Sequence, residues 1–159
     1  MSDETMKTSL ISFNDDMINA IQSGRKTQTR LPVEPQPVEI GWKKPYDGWF
    51  ATYEPERQGR EFHRVKCPYG QPGDSLRVRD QDITLKLTSV RVERVGDISE
   101  EDAQAEGFPG VAFGAGPDGA EGVLPSDEFA SAWDRIYEAR GLGWDANPWV
   151  WVIGFVRED

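Results

Sequence analysis

Apolar residues recur at helical spacing in three parts of the chain. The first helix is predicted to begin after Asn14, a good N-cap, and to end at Gly24, a residue typical of a helix stop. The second begins after Ser99 with acidic residues in its first turn and ends at Gly107. The third covers 127–139 and carries apolar side chains at core spacing.

The remaining regular segments have the short, punctuated patterns of strands. They are predicted at 7–13, 49–53, 61–66, 75–79, 83–95 and 149–156. The last of these is apolar on both faces, which indicates a central strand. We interpret the proline-rich stretch 31–47 as a long surface connection and the Gly-, Pro- and Ala-rich stretch 109–125 as a flexible loop. This mixed order of elements predicts an α+β fold with a partly closed mixed sheet or barrel.

The composition narrows the class of protein. A chain of 159 residues with 37% hydrophobic residues is expected to form one domain, 1–159. It contains no apolar run near the roughly 20 residues that span a bilayer, and its first residues are acidic and polar, so we expect a cytoplasmic protein that makes no membrane contact. One Cys and one His cannot form a disulfide or a thiolate or imidazole metal site, and no metal or other cofactor is expected.

Charge is distributed unevenly along the sequence. The net charge is −10, and it arises almost wholly after residue 94, where 3 basic residues face 14 acidic ones. Long duplex DNA is therefore a poor candidate ligand, since it needs a broad basic face. The first 94 residues, with 15 basic and 14 acidic residues, can still form a local basic site. We interpret the acidic part as a solvated face, with a protein partner as the alternative.

The candidate chemistry is concentrated directly after the first predicted helix. The stretch 24–30 holds cations and hydroxyl groups and almost nothing apolar, so it is either a solvated strand or the lining of a cleft. Its candidate ligand contacts are Arg25, Lys26, Thr27, Thr29 and Arg30. As an RNA-binding surface, this stretch together with Arg79 would contact phosphates.

Two further features leave alternatives open. Trp42 precedes two lysines and Trp49 follows a few residues later, and such a mixture of aromatics and cations suits either a surface for base stacking or the anchoring of a long loop. Cys67 lies in a sharp turn, where a thiol can act as a nucleophile. Only His63 is available as its base, so we favour a structural role for Cys67.

Several motifs taken together resemble the ASCH domain, in the form common in phages and prophages. The motifs are Asn14-Asp15-Asp16-Met17, Gly24-Arg25-Lys26-Thr27-Gln28-Thr29-Arg30, Cys67-Pro68-Tyr69-Gly70, Pro72-Gly73-Asp74, Ile98-Ser99-Glu100-Glu101-Asp102-Ala103, Glu106-Gly107 and the segment 144–152. They extend from near residue 12 to the C-terminus. The resemblance implies a PUA-like mixed β-barrel of about six strands, about three flanking helices and a lateral cleft that binds RNA or a modified nucleoside.

The resemblance also implies specific site residues. Small bacterial members similar to this chain hydrolyse the amide of N4-acetylcytidine, and their essential Lys, Thr and Glu correspond to Lys26, Thr29 and Glu106. In such a site the Thr hydroxyl needs a base to become a nucleophile, the Lys serves as base or stabilises an oxyanion, and the Glu holds the Lys or transfers a proton. Lys26 and Thr29 would point to opposite faces of a straight strand, so their convergence requires a bulge or a strand that begins after Lys26.

The sequence departs from the family pattern at two places. The signature Gly-x-Lys-x-x-(Glu or Thr)-x-Arg ends here at Leu31, with Arg30 one position early, and the phage pattern Trp-Val-Arg-Glu-Thr is replaced at 77–81, where Asp80 stands for Glu. Three functions remain beside nucleoside binding with amidohydrolysis: a non-catalytic RNA-binding module, a ribonuclease and a phage or prophage protein-interaction factor.

Overall fold

The structure is a computed structural model that describes residues 7–37, 39–42, 49–53, 63–111 and 122–158. In 39–42, 49–53 and 63–65 the description covers the backbone and, of the side chains, only that of Ala51. Residues 112–121 of the predicted flexible loop lie outside the described residues. No helix in the described part of the chain is both long and apolar enough to cross a membrane.

Most described strands belong to one five-stranded mixed sheet. Its members, in spatial order, are β1 (Thr8–Ile11), β6 (Ser75–Val78), β7 (Thr84–Arg94), β8 (Trp149–Glu158) and β2 (Gln28–Pro32). β1 pairs with β6 in parallel, and the other neighbours are antiparallel. β2 is therefore one edge of the sheet. The predicted α+β class and mixed sheet are confirmed, but the expected barrel is not closed, because the sheet ends at β1 and β2.

A smaller antiparallel sheet contains β3 (Glu39–Trp42), β4 (Trp49–Tyr53) and β5 (His63–Val65). The strand β3 and the last two residues of β2 lie within 31–47, so the prediction of an irregular connection is wrong for those six residues. The prolines flank β3 without interrupting it, and its pairing with β4 supplies the hydrogen bonds that a local pattern does not reveal. With β2 and β3, neither of which is among the six predicted strands, the described residues contain eight strands.

Three α-helices pack against the main sheet, with α1 (Asp15–Gln22) on one face and α2 (Glu100–Ala105) and α3 (Pro125–Tyr137) on the other. The predicted caps are confirmed, since the side chain of Asn14 accepts from the Met17 N–H at 2.9 Å and that of Ser99 from the Asp102 N–H at 3.0 Å. α3 begins at Pro125, two residues earlier than predicted, because proline is favoured in a first helical turn.

β8 separates two hydrophobic cores, as a central strand should. Trp151 and Ile153 point into the larger core, which also holds residues of β6, β7 and α1. Val150 and Val152 point into a smaller core beneath α2 and α3. The neighbouring edge strand β2 therefore also has one face toward each core, and this assigns its side chains to two different environments.

Candidate functional site

The turn after α1 brings Lys26 to the C-terminal end of α2. The backbone N–H groups of Arg25 and Lys26 both donate to the Ala20 carbonyl, and the Thr27 N–H donates to the Ala105 carbonyl at 2.7 Å. The turn after α1 can approach the end of α2 this closely because residue 107 is glycine. A Cβ atom there would lie 3.2 Å from the Ala20 Cβ and 3.6 Å from the Lys26 Cβ. β2 begins at Gln28, so Lys26 precedes the strand. The alternation of side chains between the two faces of a strand therefore does not fix the direction of the Lys26 side chain.

Lys26 and Glu106 form a buried ion pair at this junction. The Lys26 Nζ lies 3.2 Å from the Glu106 Oε1, and the two side chains are 1% and 3% exposed. Nζ also donates to the backbone carbonyls of Gln28 at 2.9 Å and Glu106 at 3.1 Å. Burial lowers the pKa of Lys26, while the Glu106 carboxylate acts in the opposite direction. Three acceptors match the three protons of an ammonium group, so this geometry suits the charged form.

Arg30 contacts the second oxygen of the Glu106 carboxylate and connects the Lys26–Glu106 pair to further charged residues. Its guanidinium reaches the Glu106 Oε2 at 3.0 Å, the Glu93 Oε1 at 2.9 Å and the Asp102 Oδ2 at 3.3 Å, and it also donates to the Gln28 side chain. The two outer carboxylates are bound in turn by Arg91, at 2.7 and 2.8 Å. Lys26, Arg30 and Arg91 thus balance the three carboxylates. Because the Arg30 side chain is 0% exposed, it is not free to contact a phosphate.

Arg30 does not stand in for the arginine expected at position 31. The register pairs Thr29 with Ile153, Arg30 with Val152 and Leu31 with Trp151. Directly opposite residues share a face, so the Arg30 side chain lies on the small-core side and those of Thr29 and Leu31 on the other. A shift of one position reverses the face of a strand residue. The signature arginine would lie beside Thr29, where this chain has an apolar leucine.

An apolar pocket of about 240 Å³ lies along the free edge of β2. It is bounded by the β1–α1 connection, the end of α2 and one face of α3. Its aromatic lining consists of Phe13, Phe108, Phe129, Trp133 and Tyr137. Four of these rings form a continuous wall, in which Phe108 meets Phe129 edge-on at 5.9 Å and Trp133 lies 4.2 Å from Tyr137. A wall of interlocked rings presents a large and rigid apolar surface.

Polar groups line one side of the same pocket. Thr29 and Glu106 both contribute to it, and no hydrogen bond engages the Thr29 hydroxyl within the described part of the chain. Burial raises the pKa of Tyr137 to about 12, so its hydroxyl stays protonated at neutral pH and can donate a hydrogen bond. The pocket therefore combines aromatic surface with a few hydrogen-bonding groups, the usual composition of a small-molecule site.

The backbone of Arg30 adds two further hydrogen-bonding groups. Arg30 lines the pocket although its side chain is fully buried, so its contribution comes from the main chain. The Phe155 N–H donates to the Thr27 carbonyl and the Val33 N–H to the Trp149 carbonyl. In an antiparallel pair such residues alternate with ones whose N–H and C=O point away. The N–H and C=O of Arg30 therefore point away from β8, toward the pocket.

The other predicted site residues are spread over several parts of the fold. Arg25 is exposed and lines an adjoining polar pocket, and Arg79 donates to the Ser12 hydroxyl, at 3.1 Å, on the rim of the apolar pocket. The exposed residue Thr27 is not part of either pocket lining. Trp42 and Trp49 pair through their backbones in β3 and β4, and their side chains lie outside the described residues.

Cys67 is a buried thiol in the larger core. Burial raises the pKa of Cys67 to about 11, so the thiol is protonated at neutral pH and unsuited to nucleophilic attack. This supports the structural role favoured from the sequence. Within the described residues, no group of three His, Cys, Asp or Glu side chains is arranged to hold a metal ion.

Sequence reasoning missed the outer members of the ion network and the aromatic wall. Glu93 lies within the strand predicted at 83–95, and Asp102 is one of the acidic residues in the first turn of the second predicted helix. Neither has a local signal for its contact with Arg30. The core spacing predicted for α3 is confirmed, since Phe129 and Trp133 are buried in the smaller core. That these rings also line a pocket was not predictable, because helical periodicity marks an apolar face without showing what covers it.

Comparisons with known proteins establish the fold. No family model matches the sequence, and no curated protein does either. Among solved structures, protein EF3133 from Enterococcus faecalis V583, of family model DUF984, matches with a TM-score of 0.53 and 17% identity over 99% of this chain and 83% of that one. An ASCH domain from Lactobacillus crispatus JV V101 matches with a TM-score of 0.48 and 17% identity over 94% and 79% of the two chains. The hypothetical protein PH0355 matches with a TM-score of 0.47 and 18% identity over 96% and 100%.

The likeness to EF3133 shows that the chain shares its fold. This likeness supports the resemblance drawn from the sequence motifs at the level of the fold alone.

Proposed function

We propose that this ASCH-like domain binds the base of a nucleoside or of an RNA residue in its apolar pocket. The observation that carries the proposal is the position of the pocket, between an aromatic wall and the edge of β2 that pairs with none of the described strands. The rings of Phe108, Phe129, Trp133 and Tyr137 offer apolar and stacking contacts to a planar base. The N–H and C=O of Arg30 offer a donor and an acceptor side by side.

Size and chemistry favour a single base over a larger ligand. The pocket volume of about 240 Å³ lies below the roughly 300–1,000 Å³ of sites for drug-sized molecules. A pyrimidine that presents a donor beside an acceptor can pair with Arg30 as an added strand would. The Glu106 carboxylate can accept a further hydrogen bond from a base N–H, and Thr29 can donate or accept one.

We propose amidohydrolysis of an N4-acylated cytidine as a second activity of the same pocket. It is favoured by the presence of the Thr29 hydroxyl and the Glu106 carboxylate in one lining, with Lys26 bound to that carboxylate. Thr29 Oγ would attack the acyl carbonyl carbon while its proton passes to Glu106. The tetrahedral intermediate would then expel the N4 amine, which takes up that proton.

Water completes the cycle by hydrolysing the acyl ester on Thr29, which releases the carboxylic acid and restores the hydroxyl. In this scheme Lys26 holds Glu106 in place and is not itself the base. Its three acceptors saturate the ammonium group, and Lys26 is not among the residues that line the pocket.

A titration with nucleosides tests the binding proposal. Cytidine, uridine and N4-acetylcytidine are added to the wild type and to Ile136→Arg, which places a long cation at the mouth of the pocket from a residue that is already 43% exposed. We expect binding by the wild type and its loss in this variant. Val156→Arg is the matched control, since Val156 is 52% exposed and outside both pockets. Equal affinity in all three proteins, or no binding by the wild type, contradicts the proposal.

The hydrolysis proposal requires a separate assay. Release of acetate and cytidine from N4-acetylcytidine is followed with the wild type, Thr29→Val and Glu106→Gln, after circular dichroism has verified that each variant is folded. We expect turnover by the wild type only. Absence of turnover in a wild type that binds the compound would refute amidohydrolysis and leave the binding proposal standing.

A further inference from the structure

The apolar pocket continues into a polar pocket of about 330 Å³. The two share a boundary formed by residues of α1, the end of α2 and α3, including Met17, Glu106 and Phe108. They are thus two halves of one cleft, with Glu106 at the junction. Of the aromatic wall only Phe108 reaches the second half, whose lining adds polar and charged side chains such as Asn19.

Two arginines line this polar half from separate elements. Arg25 comes from the turn after α1, and Arg135 comes from the last turn of α3. Neither makes an ion pair with a carboxylate in the described part of the chain, and Arg25 donates only to the Ser23 hydroxyl, at 2.9 Å. Lys26, Arg30 and Arg91, in contrast, are all paired with carboxylates.

The local charge of the polar half is positive in an acidic protein. Glu106 is balanced by Lys26 and Arg30, which leaves Asp16 as the one uncompensated carboxylate of the lining against Arg25 and Arg135. The net local charge is therefore +1, within a chain of net charge −10. A concave, positively charged surface in such a protein attracts an anion selectively, because the surrounding negative field repels anions elsewhere.

We propose that the polar half of the cleft binds the phosphate of a nucleotide whose base occupies the apolar half. This inference rests on the proposed function and names its ligand class: a nucleoside monophosphate or a phosphodiester-linked RNA residue rather than a free nucleoside. Arginine suits this task because its planar guanidinium can donate two parallel hydrogen bonds to one phosphate group. Arg25 and Arg135 are then phosphate-binding residues, and Glu106 lies where the base gives way to the sugar.

Binding measurements on matched ligands test this assignment. Cytidine is compared with its 5′- and 3′-monophosphates and with a single-stranded cytidine-rich hexanucleotide, for the wild type, Arg25→Gln and Arg135→Gln. A phosphate is expected to raise the affinity of the wild type by about tenfold or more, because charge-assisted hydrogen bonds are the stronger class. Each variant should lose most of that gain and keep its affinity for cytidine. Arg77→Gln is the control, since Arg77 is a half-exposed arginine outside both halves of the cleft.

The comparison of ligands identifies the source of the phosphate, and it distinguishes the phosphate-binding proposal from the base-binding proposal. A gain with the monophosphates alone identifies a free nucleotide, and a further gain with the hexanucleotide identifies an RNA strand. If cytidine binds and phosphate adds less than about twofold, or if Arg135→Gln weakens cytidine and its phosphates equally, the phosphate site is refuted and base binding stands. If neither cytidine nor any phosphate binds, both proposals fall.

Discussion

Replacement of Glu106 by glutamine removes one charge from the centre of the buried ion network. Glu106 faces the Lys26 ammonium at 3.2 Å and the Arg30 guanidinium at 3.0 Å, with all three side chains at most 3% exposed. At an effective dielectric constant of about 20, each contact corresponds to roughly 5 kcal/mol of Coulomb attraction, which desolvation of the charges largely offsets. Glu106→Gln keeps the shape of the side chain but leaves an uncompensated positive charge.

The loss of one partner from a buried pair typically costs about 3–5 kcal/mol, which is a large part of the roughly 5–15 kcal/mol that stabilises a domain. We therefore expect the free energy of unfolding to fall by about 3–5 kcal/mol and the melting temperature to fall by about 6–20 °C in a chain of this size. Urea unfolding monitored by tryptophan fluorescence measures the change, since Trp133 and Trp151 are buried.

A double variant distinguishes charge imbalance from a general packing defect. Lys26→Met combined with Glu106→Gln restores neutrality, so its destabilisation should be smaller than the sum of the two single changes. The exposed pair Arg77–Asp82 is the control, and Arg77→Gln should have no measurable effect on stability. A cost below about 1 kcal/mol for Glu106→Gln, within the range of surface pairs, would refute the reasoning.

Three further predictions concern pH and capping. Because the pKa of Cys67 is raised from 9.0 to about 11, the wild type should lose about 2 kcal/mol relative to Cys67→Ala between pH 9 and 11, measured by urea unfolding. The lowered pKa of Lys26 has the opposite sign, since the folded protein releases that proton first. The wild type should gain stability over Lys26→Met as pH rises toward 10.5, and an unchanged difference would contradict burial of the ammonium group. Asn14→Ala should cost about 1 kcal/mol through loss of the α1 cap, and thermal melting that matches the wild type would contradict that role.

Local chemistry explains which parts of the fold were predictable. The caps Asn14 and Ser99 satisfy backbone groups within three residues, so sequence alone reveals them. The burial of β8 follows from its unbroken apolar run. β3 was missed because strand formation among prolines depends on pairing with β4, and pairing is a property of the fold rather than of the segment.

The candidate site likewise has features that the sequence predicts and features that depend on the fold. The correspondence of Lys26, Thr29 and Glu106 came from the resemblance to a family, and the structure adds where each side chain lies. The environment of Arg30 was not predictable, because a local reading assigned it to a ligand while the face on which it lies depends on the register with β8. Arg135 was overlooked within an acidic part of the chain, since no sequence pattern places it opposite Arg25.

If the outward-facing backbone of Arg30 and the aromatic wall together hold a base, the amide signals of β2 must report the binding of that base. In a ¹H–¹⁵N titration with cytidine 5′-monophosphate, the account predicts a downfield shift and slowed hydrogen exchange for the Arg30 amide, which gains a partner. The amides of Thr29 and Leu31 already donate to β8 and should change little. A ligand that binds without affecting Arg30, or that shifts residues remote from the cleft, would contradict the account.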